Sequence, residues 1–257
     1  MNNTATIPRL FCALLLPVCA ATSQQPTTEA DAAWKIRDLD GRALVNRETG
    51  RISEIHLNGN ARVADETMAL VAACPEITDL NLQDTGIGDA GLREIAGLKR
   101  LEWLNLYRTR ISDAGLEILS RLVRLQQLPI GETRITDAGL VHVAKLPNLS
   151  YLGLRGTAVT DAGVKHLEPL TNLTGMHLGQ TRITDRALGS LEKLTKLEKL
   201  WLHDTPVTGG TVRRLLQKLP KLRELHLQRT HLEMAEIRQL RETFPNCRIS
   251  YEKDDAP

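Results

Sequence analysis

Five aspartates, at positions 89, 113, 137, 161 and 185, stand 24 residues apart. Carboxylates at a fixed interval invite an acid–base reading. A general acid or base, however, needs a second group placed against it. Here the neighbours recur with the aspartate, as in Thr136-Asp137-Ala138 and Thr160-Asp161-Ala162, and no such second group recurs with it. The aspartates are therefore read as a repeated structural position. His142 and His166 also fall one interval apart, but two ligands do not complete a zinc site, and both are expected in solvent. Of the four cysteines, Cys74 and Cys247 lie far apart and stand where equivalent segments carry Leu; they are expected to be small buried hydrophobes. The sequence holds no glycine-rich phosphate loop ending in Lys-Ser/Thr, no Gly-x-Ser-x-Gly elbow and no paired-His zinc motif. No catalytic residue, metal or cofactor is expected.

The interval itself is the main signal. The block reads Leu-x-x-Leu-x-Leu-x-x-Thr-x-Ile-Thr-Asp-Ala-Gly-Leu-x-x-Leu-x-x-Leu. Its first apolar positions are Ile52, Ile77, Leu101, Leu125, Leu149, Leu173, Leu197 and Leu222, spaced by 24 residues in the middle and 25 at both ends. Within each block, a segment such as Leu101-Glu102-Trp103-Leu104-Asn105-Leu106 alternates apolar and polar, which predicts a short strand with one buried face. A Thr follows at 85, 109, 133, 157, 181, 205 and 230, with Asn60 in the first block. These groups are expected to turn inward and bond the backbone of the neighbouring coil. Ser112-Asp113, Thr136-Asp137, Thr160-Asp161 and Thr184-Asp185 read as helix starts, with a cap oxygen and a carboxylate at the positive end. Leu116, Leu119 and Leu122 then recur at helical spacing. A single block cannot bury its own leucines; stacking closes the core. Leucine rather than aromatic residues fills such an interior, which accounts for an aromatic content of only 3%.

A period of this length with this leucine pattern resembles bacterial leucine-rich-repeat proteins whose turns carry Thr-Asp-Ala-Gly-Leu, relatives of the cysteine-containing type with Thr replacing the Asn or Cys. The resemblance covers roughly residues 34–251. It implies an α/β fold: a right-handed solenoid with a concave parallel β-sheet and convex helices. The expected organisation is a signal peptide over 1–20, a linker over 21–28, a helix-and-hairpin cap over 29–51, about eight repeats over 52–246, and a final strand and tail over 247–257. The family also implies recognition of a partner, most often a protein, with no catalysis.

Because strand side chains alternate, the solvent-facing columns can be written without coordinates. One runs Glu54, Asp79, Trp103, Gln127, Tyr151, Gly175, Lys199, Glu224. The next runs His56, Asn81, Asn105, Pro129, Gly153, His177, Trp201, His226. A third runs Asn58, Gln83, Tyr107, Gly131, Arg155, Gly179, His203, Gln228. Four of the chain's eight aromatic residues fall on this face, with glycines between them that predict a shallow depression walled by rings. Exposed Trp, Tyr and Arg are the usual anchors of interfaces. The expected partner-binding residues are Trp103, Tyr107, Tyr151, Arg155, His177, Trp201, His203 and His226. The alternative is that the rings only pack on one another, leaving a structural or envelope-associated spacer. The strand-exit edge is modestly basic: Arg108, Arg110, Arg134, Arg155, Arg182, Arg229 and His231 outnumber Asp84, Glu132 and Asp204. This edge suits an acidic protein surface or an anionic glycan, or is simply a solvated rim.

A formal net charge of +2 gives no basis for nucleic-acid binding. Arg9, the apolar run Leu10–Ala20 and the small polar residues after it read as a secretory signal cleaved after Ala20, too short to span a bilayer as a helix. A lipoprotein signal with Cys19 lipidated competes, less well matched because Pro17 and Val18 precede the cysteine. An apolar N-terminus with no targeting role is the third reading. Export to the periplasm, the cell envelope or the medium is thus the expected localisation.

Overall fold

The computed structural model describes residues 28–251. The apolar leader with Cys19 and the acidic tail lie outside the described residues. Ten strands form one sheet in chain order: β1 (Arg42–Val45), β2 (Ile52–His56), β3 (Asp79–Asn81), β4 (Trp103–Asn105), β5 (Gln127–Pro129), β6 (Tyr151–Gly153), β7 (Gly175–His177), β8 (Lys199–Trp201), β9 (Glu224–His226) and β10 (Arg248–Ser250). β1 pairs antiparallel with β2, and every later neighbour pairs parallel. Helices alternate with the strands: α1 (Glu29–Asp38), α2 (Met68–Ala72), α3 (Asp89–Glu94), α4 (Asp113–Leu119), α5 (Asp137–Val143), α6 (Asp161–Lys165), α7 (Asp185–Leu191), α8 (Gly209–Lys218) and α9 (Met234–Thr243). This is an α/β leucine-rich-repeat solenoid. Strands pack about 4.8 Å apart while helices need about 10 Å, so the strand side is the narrow, concave one.

The core is a single apolar column. Ile52, Ile77, Leu101, Leu125, Leu149, Leu173, Leu197 and Leu222 are all buried, and the central strand residues Leu80, Leu104, Leu128, Leu152, Met176, Leu200 and Leu225 are buried beside them. Cys74 and Cys247 are buried free thiols within it, and burial raises both to a pKa of about 11.

Two polar ladders run along the stack; the first differs from the sequence expectation and the second goes beyond it. The Thr hydroxyls do not reach the neighbouring coil. Each donates to a carbonyl three residues back in its own coil: Thr85 to Leu82 at 2.6 Å, Thr109 to Leu106 at 2.7 Å, Thr181 to Leu178 at 2.6 Å. The cause is the residue just before each Thr, which is left-handed: Asp84, Arg108, Glu132, Gln180, Asp204 and Arg229 have φ between 50° and 58°. That turn folds the Thr back over its own strand exit. A non-glycine residue pays about 1 kcal/mol for this conformation. It is held by a bond to the next coil, such as Arg108 N–H to Gly131 C=O at 2.9 Å and Asp204 N–H to Gln228 C=O at 2.9 Å.

The aspartates do more than compensate a helix dipole. The cap oxygens belong to Ser112, Thr136, Thr160 and Thr184, each accepting from the N–H two residues on. The carboxylates instead reach across to the next coil. Asp137 accepts from Thr160 N–H at 2.7 Å and from the Thr160 hydroxyl at 2.6 Å. Asp89, Asp113, Asp161 and Asp185 make the same pair of bonds to Ser112, Thr136, Thr184 and Thr208. Gly139 and Gly163 follow at the point of closest approach, but Ala187 occupies the same place in the next coil, so one methyl group is tolerated. The expected solvent exposure holds for His166; His142 is half-buried, and its Nδ1 has no hydrogen-bond partner among the described residues.

Replacing Asp137 with Ala leaves the Thr160 N–H and hydroxyl without their acceptor, and is expected to cost about 1–3 kcal/mol. Asn at the same position keeps one acceptor and should lose clearly less. Urea unfolding of the two variants tests this; equal stability of Asp137→Ala and the parent chain would show that the carboxylate is only a solvated charge.

Candidate binding surface

The register places the predicted columns side by side. Glu54, Asp79, Trp103, Gln127, Tyr151, Gly175, Lys199 and Glu224 are successive pairing partners across β2–β9. Pro129, Gly153, His177, Trp201 and His226 are likewise successive partners in the second column. One junction differs. β4 and β5 register only through Trp103 and Gln127, because Pro129 brings no N–H to the ladder.

Five of the eight predicted site residues form one cluster. Trp201 stands between His177 (centroids 5.4 Å apart, planes 7° apart) and His226 (5.3 Å, 13°). Tyr151 meets Trp201 edge to face at 6.3 Å and 81°. His203 meets His177 at 5.1 Å and 90°. Such pairs favour offset or edge-to-face geometry. An imidazole thus lies against each face of Trp201. Trp103 is half-buried and forms no ring contact with this cluster; Gln127 separates it from Tyr151.

The glycines are seats for rings, not open depressions. A Cβ on Gly175 would meet Tyr151 Cδ2 at 2.8 Å, and one on Gly131 would meet Tyr107 Cδ2 at 3.1 Å. One on Gly179 would strike the His203 ring within 2.7 Å. The predicted depression shrinks accordingly to a pocket of about 160 Å3, lined by Tyr107, Pro129, Gly131, Tyr151, Gly153, Arg155 and His177.

Two of the strand-exit arginines, Arg108 and Arg229, are closely paired with carboxylates. Arg108 pairs with Asp84 at 3.3 Å and Glu132 at 3.1 Å. Arg229 grips Asp204 through two nitrogens, and His203 Nδ1 lies 2.8 Å from the same carboxylate. Hydrogen bonding from Arg229, then His203, lowers Asp204 to a pKa of about 2. Tyr107 donates to Glu132, and burial, then that bond, raises its pKa. Arg155 Nε donates to Gln180 at 2.8 Å. Sequence reasoning missed Glu132 and Gln180 as partners of site residues. It allowed that the rings pack on one another, and column adjacency placed His177, Trp201 and His226 in consecutive strands, but it did not place the two histidines against the faces of Trp201. Among the described residues no group of three or more His, Cys, Asp or Glu is arranged to hold a metal ion.

Residues 62–251 match the family described as a leucine-rich repeat region. The chain belongs to the leucine-rich repeat family. Repeats of this kind serve in general as protein-binding scaffolds. No curated protein matches the chain in sequence. Among solved structures, internalin C2 from Listeria monocytogenes str. 4b F2365 is similar at 23% identity, with a TM-score of 0.59 over 78% of this chain and 81% of that one. A leucine-rich-repeat protein of Leptospira interrogans shares 19% identity over 77% of this chain and 60% of its own length, at a TM-score of 0.49. At these identities the likeness is one of fold. No described helix of this leucine-rich-repeat protein is long and apolar enough to cross a membrane.

The cluster gives the protein an acid-sensitive spot. Burial, then the charges of His203, Arg155 and His226, lower His177 to a pKa of about 3. The unfolded chain protonates this imidazole below about pH 6.5, and the folded chain does not until about pH 3. Stability contributed by the neutral ring is therefore complete above pH 6.5 and falls with pH between those values, by at most about 1.4 kcal/mol per pH unit. His177→Phe keeps a ring on Trp201 and removes the titration. Urea unfolding at pH 7.5 and pH 4.5 should show a smaller acid loss in the variant, by up to about 2 kcal/mol. An equal loss in both chains would assign the acid dependence elsewhere.

Proposed function

We propose that this chain is an exported, non-enzymatic recognition scaffold that binds a protein partner on the concave face of its sheet. The observation that carries this reading is the grouping of Tyr151, His177, Trp201, His203 and His226 on the solvent side of β6–β9 and the turns beyond, with Trp103, Tyr107 and Arg155 on the same face. Rings of this size are costly to leave facing water, and Trp, Tyr and Arg dominate interface energetics. Their mounting supports the reading further: short strands locked by ladders on both sides hold the rings with little conformational freedom to lose on binding.

The stacking also selects among ligands. A sugar ring needs an open aromatic face, and an imidazole already lies against each face of Trp201. This favours a protein surface over a glycan at the cluster. The sequence supports the finer assignment to the bacterial Thr-Asp-Ala-Gly-Leu type, and the leader over residues 1–20 supports secretion or residence in the periplasm or envelope, with Cys19 as the lipid acceptor if cleavage precedes it.

Crosslinking in the native compartment tests the function. Trp103→Ala and Trp201→Ala are expected to lose the crosslinked partner while keeping the circular dichroism spectrum of the parent. A partner retained by both variants would favour the spacer role. Mass measurement of the processed chain tests export: a start at Ala21 matches cleavage after Ala20, a lipidated Cys19 matches anchoring, and an intact Met1 would overturn both.

A further inference from the structure

Arg155 differs from Arg108 and Arg229 on the strand-exit rim, and it is the rim arginine that lines the pocket between Tyr107 and Tyr151. Arg108 has two carboxylate partners and Arg229 grips one bidentately. Arg155 is held by the neutral Gln180 through its Nε, and its nearest carboxylate, Glu132, lies 4.0 Å from Nη2. That carboxylate is already occupied by the Tyr107 hydroxyl and by Arg108. Arg155 is also the only Lys, Arg, Asp or Glu in the third concave column. Its side chain is 40% exposed. The guanidinium is thus fixed at one end, with its terminal nitrogens incompletely used.

It forms one wall of the pocket of about 160 Å3 described above, room for a single side chain. The rings of Tyr107 and Tyr151 line it as well, together with Gly131 and Gly153. The Tyr151 hydroxyl lies 3.3 Å from where a Gly153 Cβ would sit and forms no hydrogen bond to another described residue. His177 accepts from Gly179 N–H through Nδ1 at 3.3 Å, so its neutral ring carries the proton on Nε2. Arg155, the Nε2–H of His177 and the Tyr151 hydroxyl can therefore donate to an occupant, whereas the Tyr107 hydroxyl already donates to Glu132. An apolar occupant would strip these donors of water without replacing it, and a cationic one would be repelled by Arg155. A carboxylate matches both the charge and the guanidinium fork.

Resting on the concave-face recognition proposed above, we propose that this pocket receives one Asp or Glu side chain of the protein partner, with Arg155 pairing its carboxylate. The rings then act as the wall that keeps water from the pair.

The test titrates 15N-labelled protein with N-acetyl-glutamate N-methylamide and, separately, with the glutamine analogue, at millimolar concentrations and constant ionic strength. The expected result is a saturable shift of the Arg155 Nε–Hε signal and the Gly153 and Gly131 amides with the glutamate compound, and about ten-fold weaker binding of the glutamine compound. Arg155→Met should abolish the preference, and Arg155→Lys, which keeps the charge without the fork, should retain a reduced one. Equal response to both compounds, a preference surviving in Arg155→Met, or shifts confined to Arg110, Arg134 and Arg182 would overturn the assignment. Partner crosslinking separates the two readings: capture lost in Trp201→Ala but intact in Arg155→Met removes the pocket's role and leaves the concave face standing, whereas capture indifferent to every variant removes both.

Discussion

The hydrogen-bonded ladder of parallel strands holds successive coils about 4.8 Å apart, and that single spacing governs the rest of the molecule. It is too short for helices to lie side by side, so the convex side splays and the sheet curves inward. It is also close to the distance at which aromatic rings stack. His177, Trp201 and His226 rise from three adjacent strands in one column, and their centroids fall 5.3–5.4 Å apart. Their stacking thus follows from their place in the repeat, with no irregular loop needed to bring them together.

The same spacing explains the polar groups inside and beside the sheet. A left-handed residue after each strand returns the chain toward the helices and sends its N–H to the next coil. The Thr that follows satisfies a carbonyl of its own coil. On the other side of the leucine column, each aspartate fastens the start of one helix to the start of the next. Apolar sharing supplies the cohesion, while these two ladders fix the register between neighbouring coils. A surface built on such a frame has little freedom to rearrange, which suits recognition by a preformed shape.

Much of this was legible in the sequence, because a period fixes both partner and face. Writing Trp103 two strands from Tyr151, and His177 beside Trp201, needed only the interval and the alternation of strand side chains. What the interval does not encode is where a side chain leans. Tyr151 falls over Gly175, and His203 over Gly179, so the expected hollow is partly filled by its own walls. The reach of Asp137 to the following coil was hidden for a similar reason. A carboxylate at a helix start has a sufficient local explanation, and only the distance to the next coil reveals its second role. The left-handed residues were illegible because six of them are ordinary side chains, not glycines.

Pro129 carries a mechanical consequence. It sits in the middle of the sheet, where its ring withholds one rung from the bonding between β4 and β5. The two coils stay tied by Leu106 N–H to Pro129 C=O at 2.8 Å and by Arg108 N–H to Gly131 C=O at 2.9 Å, so the seam is thinned by one rung and not opened. Tyr107 lies on one side of the seam and Tyr151 on the other. The pocket walled by those two rings therefore straddles the one thinned junction among the described parallel strands.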